Sequence, residues 1–179
     1  MISRLLPRQR RYILFCHSFT GCDTVSAIHG FSKEKLFERL CSGTVDNLIE
    51  VFYDEQSTVV QIQNAGIKLF QYIYRAPETS LSSQRLHRYN KQSKVGVLRP
   101  ENLPPTEGSA KQHSLRAYFQ LRDWIALQSM YLEANEYGWE LSSRGRYEPI
   151  LTTMPIAPEN LLKCISCNCS GDCSTMFQR

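Results

Sequence analysis

Apolar side chains recur at helical spacing along most of the chain, and the elements they predict are mainly α-helices. Residues 7–18 predict a helix with Ile13, Leu14, Phe15 and Phe19 on its buried side. Pro7 suits a first helical turn, where its missing N–H would have no partner anyway. The Tyr-Ile-Leu-Phe run inside Arg11–Cys16 suits a strand equally well. Thr20-Gly21 breaks the pattern. Asp23 or Thr24 is then placed to cap a short helix over 24–28, and Gly30-Phe31 makes a second turn. Ser32 is a helix N-cap, with Glu34 in the first turn, where the helix dipole favours negative charge. Leu36, Phe37 and Leu40 form the apolar side of that next helix, so the expected unit is helix, glycine turn, helix.

Two more helices follow. Val45–Tyr53 carries Leu48, Ile49 and Phe52, and Ser57–Tyr74 carries Val59, Ile62 or Gln63, Gly66, Leu69, Phe70 and Ile73. Gly66 weakens its helix by about 1 kcal/mol relative to alanine, which a close helix crossing would explain. Residues 76–108 hold four prolines and many serines, with little periodicity, and read as an irregular linker or wrapping loop with one short helix near Ser82–Tyr89. The clearest helix spans about residues 109–134, with a stripe of Leu115, Tyr118, Phe119, Trp124 or Arg122, Ile125, Leu127 and Met130. Tyr137–Leu141 opens an extended segment, and Arg144-Gly145 turns a small hairpin that runs to Leu151. Pro155 and Pro158 bracket a bend, and a short helix over 158–162 leads to a cysteine-rich tail. The expected organisation is a helical region at 7–75, the irregular segment at 76–108, the long helix and hairpin of 109–162 packing on the first region, and a tail at 163–179.

A chain of 179 residues with 42% hydrophobic and 21% charged residues can bury a real core, which excludes disorder throughout. The formal charge of +4 permits contact with nucleic acid without requiring it. No apolar run reaches the roughly 20 residues of a membrane-spanning helix, and the arginines at 4, 8, 10 and 11 precede no apolar signal segment. The expectation is an intracellular protein with reduced thiols and no membrane partner. Of seven cysteines, Cys16, Cys22 and Cys41 are scattered, and Cys164, Cys167, Cys169 and Cys173 are crowded. An odd total argues against a full disulfide framework.

The stretch FTGCDTVSAIHGFSKEKLFERL resembles the part of flap-endonuclease-type, PIN-like nucleases where the last metal-site aspartate precedes a helix-hairpin-helix. Asp23 matches that aspartate. Thr24 stands where an aromatic is usual, and the second hairpin glycine is missing after Gly30-Phe31. The order of segments is also similar to a group of mobile-element-derived invertebrate proteins. His17–Asp23, Leu103–Thr106, Trp124, Gly138-Trp139, Pro155–Pro158 and Cys164–Cys173 carry that resemblance. It implies the C-terminal half of a larger protein, whose partner would be a nuclease-like α/β portion.

The chemistry qualifies those resemblances. A two-metal nuclease needs several carboxylates converging on its ions. No Asp or Glu precedes Asp23, and Glu34, Asp46, Glu50, Asp54 and Glu55 fall on helices expected to pack elsewhere. The reading is therefore a non-catalytic module that contacts nucleic acid or another protein, with nuclear residence if the ligand is DNA. The alternative is half of a magnesium-dependent nuclease needing a separate α/β portion, with Asp23 as a remnant ligand. The plain reading of Asp23 is a helix N-cap. Gly30, Ser32, Lys33, Lys35 and Arg39 are the candidate nucleic-acid contacts, because a glycine turn at a helix start presents N–H groups to phosphate and the side chains add charge. Cys16 and Cys22 read as structural thiols, since no base or orienting partner is identifiable. Arg116, Arg122, Arg144 and Arg146 read as a solvated face, and Trp139 as a packing anchor. Cys164, Cys167, Cys169 and Cys173 can hold one zinc tetrahedrally, the alternative being a disordered tail of free thiols. Their Cys-x-Cys step resembles tesmin-type CXC modules and metallothionein-like clusters, which continue with further cysteines, so the tail reads as a shortened module.

Overall fold

A computed structural model of the chain describes residues 6–75, 80–94, 100–126 and 132–152. Among the described residues six α-helices and a two-stranded sheet follow in order: α1 Pro7–Phe19, α2 Lys33–Cys41, α3 Asp46–Tyr53, α4 Val59–Tyr74, α5 Leu81–Ser93, α6 Glu107–Ala126, β1 Trp139–Leu141 and β2 Tyr147–Pro149. The chain is mainly α, as its periodicity predicts. No helix among the described residues is long and apolar enough to cross a membrane.

Local signals account for most helix boundaries. Pro7 opens α1, and Gln9 Oε1 accepts the Leu6 N–H at 3.0 Å. Ser32 Oγ accepts the Lys35 N–H at 3.2 Å and so caps α2. Thr58 and Gln61 form a reciprocal capping box at the start of α4. α4 ends at Arg75, which takes the left-handed conformation at φ 48°. Thr106 Oγ1 accepts the Ser109 N–H at 3.2 Å where α6 begins.

The core forms around Phe19, which is fully buried. Its ring centroid lies 5.1 Å from those of Phe15 and Phe70, 5.8 Å from Phe52 and 5.0 Å from the imidazole of His113. Four helices thereby meet on one ring pack, and geometries of this kind add to plain burial. α6 runs through the middle, packed on α4, α1 and α3. Gly66 lets α4 approach it: a Cβ there would overlap Oγ and Cβ of Ser114. The expected close crossing is therefore a contact between α4 and α6. Arg8 pairs with Asp46 at 2.6 Å, and Arg11 forks onto Glu50 at 2.7 and 2.8 Å, clamping α1 to α3 across the surface. These groups are about half exposed, so water screens much of their attraction.

Several expectations are corrected. No helix forms over 24–28, so the segment between α1 and α2 is a loop and not the near half of a hairpin of helices. Ile13 is 44% exposed, and Tyr12 and Cys16 take the buried positions on α1. The helix near Ser82–Tyr89 extends to Leu81–Ser93. The long helix starts at Glu107, because Thr106 caps it, and it does not reach the expected end at 134, since residues 132 and 133 are not helical and Ala134–Glu136 is a separate 3-10 turn. The expected hairpin does form, antiparallel, with Glu140 opposite Glu148 and Gly145 at φ 70° in its turn. Leu127, Met130, the Pro155–Pro158 bend, the helix over 158–162 and the tail lie outside the described residues.

Candidate nucleic-acid interface

The Gly-Cys-Asp segment folds back on itself. Cys22 and Val25 exchange N–H···O bonds of 2.9 and 3.3 Å, and the Ile28 N–H donates to the Thr20 carbonyl at 3.3 Å. Asp23 and Thr24 are the tip of that turn, and both are exposed. Gly21 makes the fold-back possible, with φ at 114° and a position where a Cβ would stand 2.6 Å from Ala27 Cα. Asp23 therefore caps no helix, and the N-cap reading is overturned. The Thr24 hydroxyl reaches Gln120 Oε1, tying the tip to α6.

Three of the acids that a metal site at Asp23 could draw on are engaged elsewhere. Asp46 is held by Arg8 and the Tyr12 hydroxyl, Glu50 by Arg11, and Glu55 by Arg122 at 3.1 Å. Those hydrogen bonds hold the Asp46 carboxyl below its ordinary pKa, that of Tyr12 most of all. Among the described residues no three His, Cys, Asp or Glu side chains cluster closely enough to hold a metal. Cys164, Cys167, Cys169 and Cys173 lie outside the described residues.

The five candidate nucleic-acid contacts divide. Lys33 donates from Nζ to the Gly21 carbonyl at 2.8 Å, and Lys35 from Nζ to the Gly30 carbonyl at 3.1 Å, so both brace the loop. Ser32 is occupied as the α2 cap. Gly30 is exposed at φ 78°, with open space where a Cβ would be. Arg39 donates to the Ile73 carbonyl and so bridges α2 to the end of α4.

At that end of α4 a basic surface gathers that the sequence reading saw only in part. Arg39 lies over the Phe31 ring at 5.5 Å, and Lys35 lies over it at 5.9 Å. Arg88 of α5 lies over Tyr74 at 5.0 Å, and Phe31 meets Tyr74 edge-on at 5.6 Å. Burial lowers the pKa of Arg39, and the nearby charges of Arg75 and Arg88 lower it further. Three helix segments thus place Lys35, Arg39, Arg75 and Arg88 around two rings, with Glu38 the acid beside them. Arg75 and Arg88 escaped notice because they lie far from α2 in sequence; the available signal was a run of cations at 75, 85 and 88 flanking Tyr74.

The remaining candidates are structural. Cys16 is buried, and that burial pushes its thiol pKa up to about 12, far from a nucleophile's range. His17 faces outward and stacks on Trp124 at 5.1 Å. Trp139 is half-buried beneath the Arg116 guanidinium, as a packing anchor should be. Arg144 and Arg146 are exposed, but Arg116 and Arg122 are only 3% and 7% exposed, which overturns the solvated-face reading for both. Arg122 donates to the Tyr53 carbonyl at 2.9 Å, and Arg116 to the carbonyls of Gly138 and Ile150 at 3.2 and 2.6 Å. Compared with protein-family models, with curated proteins and with solved structures, the chain gives no match.

Proposed function

We propose that this chain is a nucleic-acid-binding module of the mobile-element-derived type that its motif order resembles, with no catalytic centre of its own. The single supporting observation is the gathering of Lys35, Arg39, Arg75 and Arg88 at the end of α4, close enough that Arg75 and Arg88 depress the pKa of Arg39. Like charges this close repel one another, and a row of phosphates relieves that repulsion while releasing counterions. Cations lie over the rings of Phe31 and Tyr74, which thereby orient guanidinium groups. The proposed contact is therefore to the backbone, and sequence-independent.

The test is fluorescence anisotropy with labelled single-stranded and duplex oligonucleotides at several salt concentrations. Affinity should fall with salt, with a log–log slope of about −2 to −4 for about three to four phosphate contacts. A flat salt dependence, or no binding at low salt, contradicts the proposal. A second reading, half of a magnesium-dependent nuclease, draws on one observation: Asp23 is exposed at a loop tip, where carboxylates from a separate α/β portion could join it. Magnesium-dependent cleavage that disappears in Asp23→Asn would favour it.

A further inference from the structure

A cleft of about 460 Å³ opens where residues Ser26–His29, the end of α4, α5, the approach to α6 and the first turns of α6 meet. Its size is that of a small-ligand site. Phe70, Tyr74, Leu103 and Leu151 give it apolar walls. Arg116 lines it from within, although that residue is only 3% exposed.

Arg116 makes this more than a dent. A guanidinium has five N–H donors. Here Nη1 serves the carbonyls of Gly138 and Ile150, while Nε and Nη2 find no acceptor among the described residues. No carboxylate pairs with it among them either, and burial alone, with no offsetting charge, lowers its pKa. A charge taken out of water without a counter-ion is costly. The neighbours favour an anion too. Arg85 stands at the cleft, and Thr106 and Ser109 bring in the positive end of the α6 dipole. Glu101 is the one acid of the lining, and it is exposed.

We infer that this cleft binds a small organic oxyanion, its carboxylate or phosphate head on Arg116 and its apolar body against Phe70, Tyr74 and Leu103. The guanidinium fork matches either head group. The site is separate from the proposed nucleic-acid surface, sharing only Tyr74 with it, and stands or falls without it.

The experiment is methyl NMR on the whole chain, titrated with benzoate, with phenyl phosphate and with neutral benzyl alcohol. Saturable shifts at Ile28, Leu103 and Leu151 are expected with one or both anions below about 10 mM, and the tighter of the two names the head group. Benzyl alcohol should bind at least about tenfold more weakly. Equal binding of the neutral probe, shifts confined to the Arg39 surface, or no shift at all would each overturn the inference. Arg116→Met should abolish anion binding if it folds. Ser109→Phe keeps Arg116 but fills the cleft, and must lose the same shifts; binding that survives in it also overturns the inference.

Discussion

Gly66 and Ser114 meet backbone to side chain where α4 crosses α6, and no side chain fits between them. A Cβ at Gly66 would overlap Ser114 Cβ, which cannot rotate away as the hydroxyl can. The hydroxyl is itself fixed by donating to the Ala110 carbonyl at 2.7 Å. Gly66→Ala sets a helix-propensity gain of about 1 kcal/mol against an overpacking cost of about 1–3 kcal/mol. Overpacking should win, with a net loss of up to about 2 kcal/mol in chemical denaturation. Adding Ser114→Gly should recover part of that loss. A stabilised Gly66→Ala chain would show that the helices stand further apart.

His113 supplies a pH dependence. Its Nε2–H donates to the Phe19 carbonyl at 2.8 Å, and its ring is boxed by Phe19 and Phe70. Burial lowers its pKa to about 4. The folded pKa lies below the unfolded value of about 6.5, so the unfolded chain binds the extra proton between them. Stability from this group is complete above pH 6.5 and is lost as the pH falls toward about 4, by about 3 kcal/mol at most. Denaturation midpoints measured from pH 7 to pH 4 should therefore fall more steeply in the native chain than in His113→Gln.

Cysteine reactivity should follow burial. Cys16 sits in the core with its thiol pKa raised to about 12, so it forms almost no thiolate near neutral pH. Alkylation followed by peptide mapping should label Cys22 before Cys16, and Cys16 only when the chain unfolds. Early labelling of Cys16 would place it outside the core.

Arg116 holds the hairpin as well as the cleft. Arg116→Met takes a charged donor from the carbonyls of Gly138 and Ile150, of which Gly138 keeps the Ile150 N–H. Removing a charged donor of this kind costs about 2–4 kcal/mol. Hydrogen exchange should speed up across residues 138–150 more than in α1 or α3. Uniform acceleration would assign Arg116 to global stability alone.

Much of this fold was legible in local signals. Ser32 with Glu34, the Leu36 and Leu40 side, and Arg144-Gly145 each point to what forms, because caps, turns and one-sided apolar faces are decided within a few residues. Gly66 was legible as an anomaly, since a glycine inside a good helix needs a reason. What failed was decided at long range. Asp23 looks like an N-cap from sequence, but Gly21 folds the chain back and pairs Cys22 with Val25 instead. Arg116 and Arg122 sit where an amphipathic helix should be wet, yet α6 is central and buried on most sides, so carbonyls from other elements replace the water. The basic surface is likewise assembled from three helix segments that no local window joins.

The most direct test of the proposed binding surface is the salt dependence of oligonucleotide binding in Arg75→Asn. Arg75 is exposed and left-handed at φ 48°, a conformation asparagine tolerates, so the substitution removes charge without loosening α4. Folding stability should stay unchanged, affinity at low salt should drop severalfold, and the log–log slope should shrink by about 0.7–0.9, the share of one phosphate contact. Lys33→Ala, which removes a cation outside the Lys35, Arg39, Arg75 and Arg88 group, should leave that slope alone. An unchanged slope in a folded Arg75→Asn chain would contradict the assignment of this surface to nucleic acid.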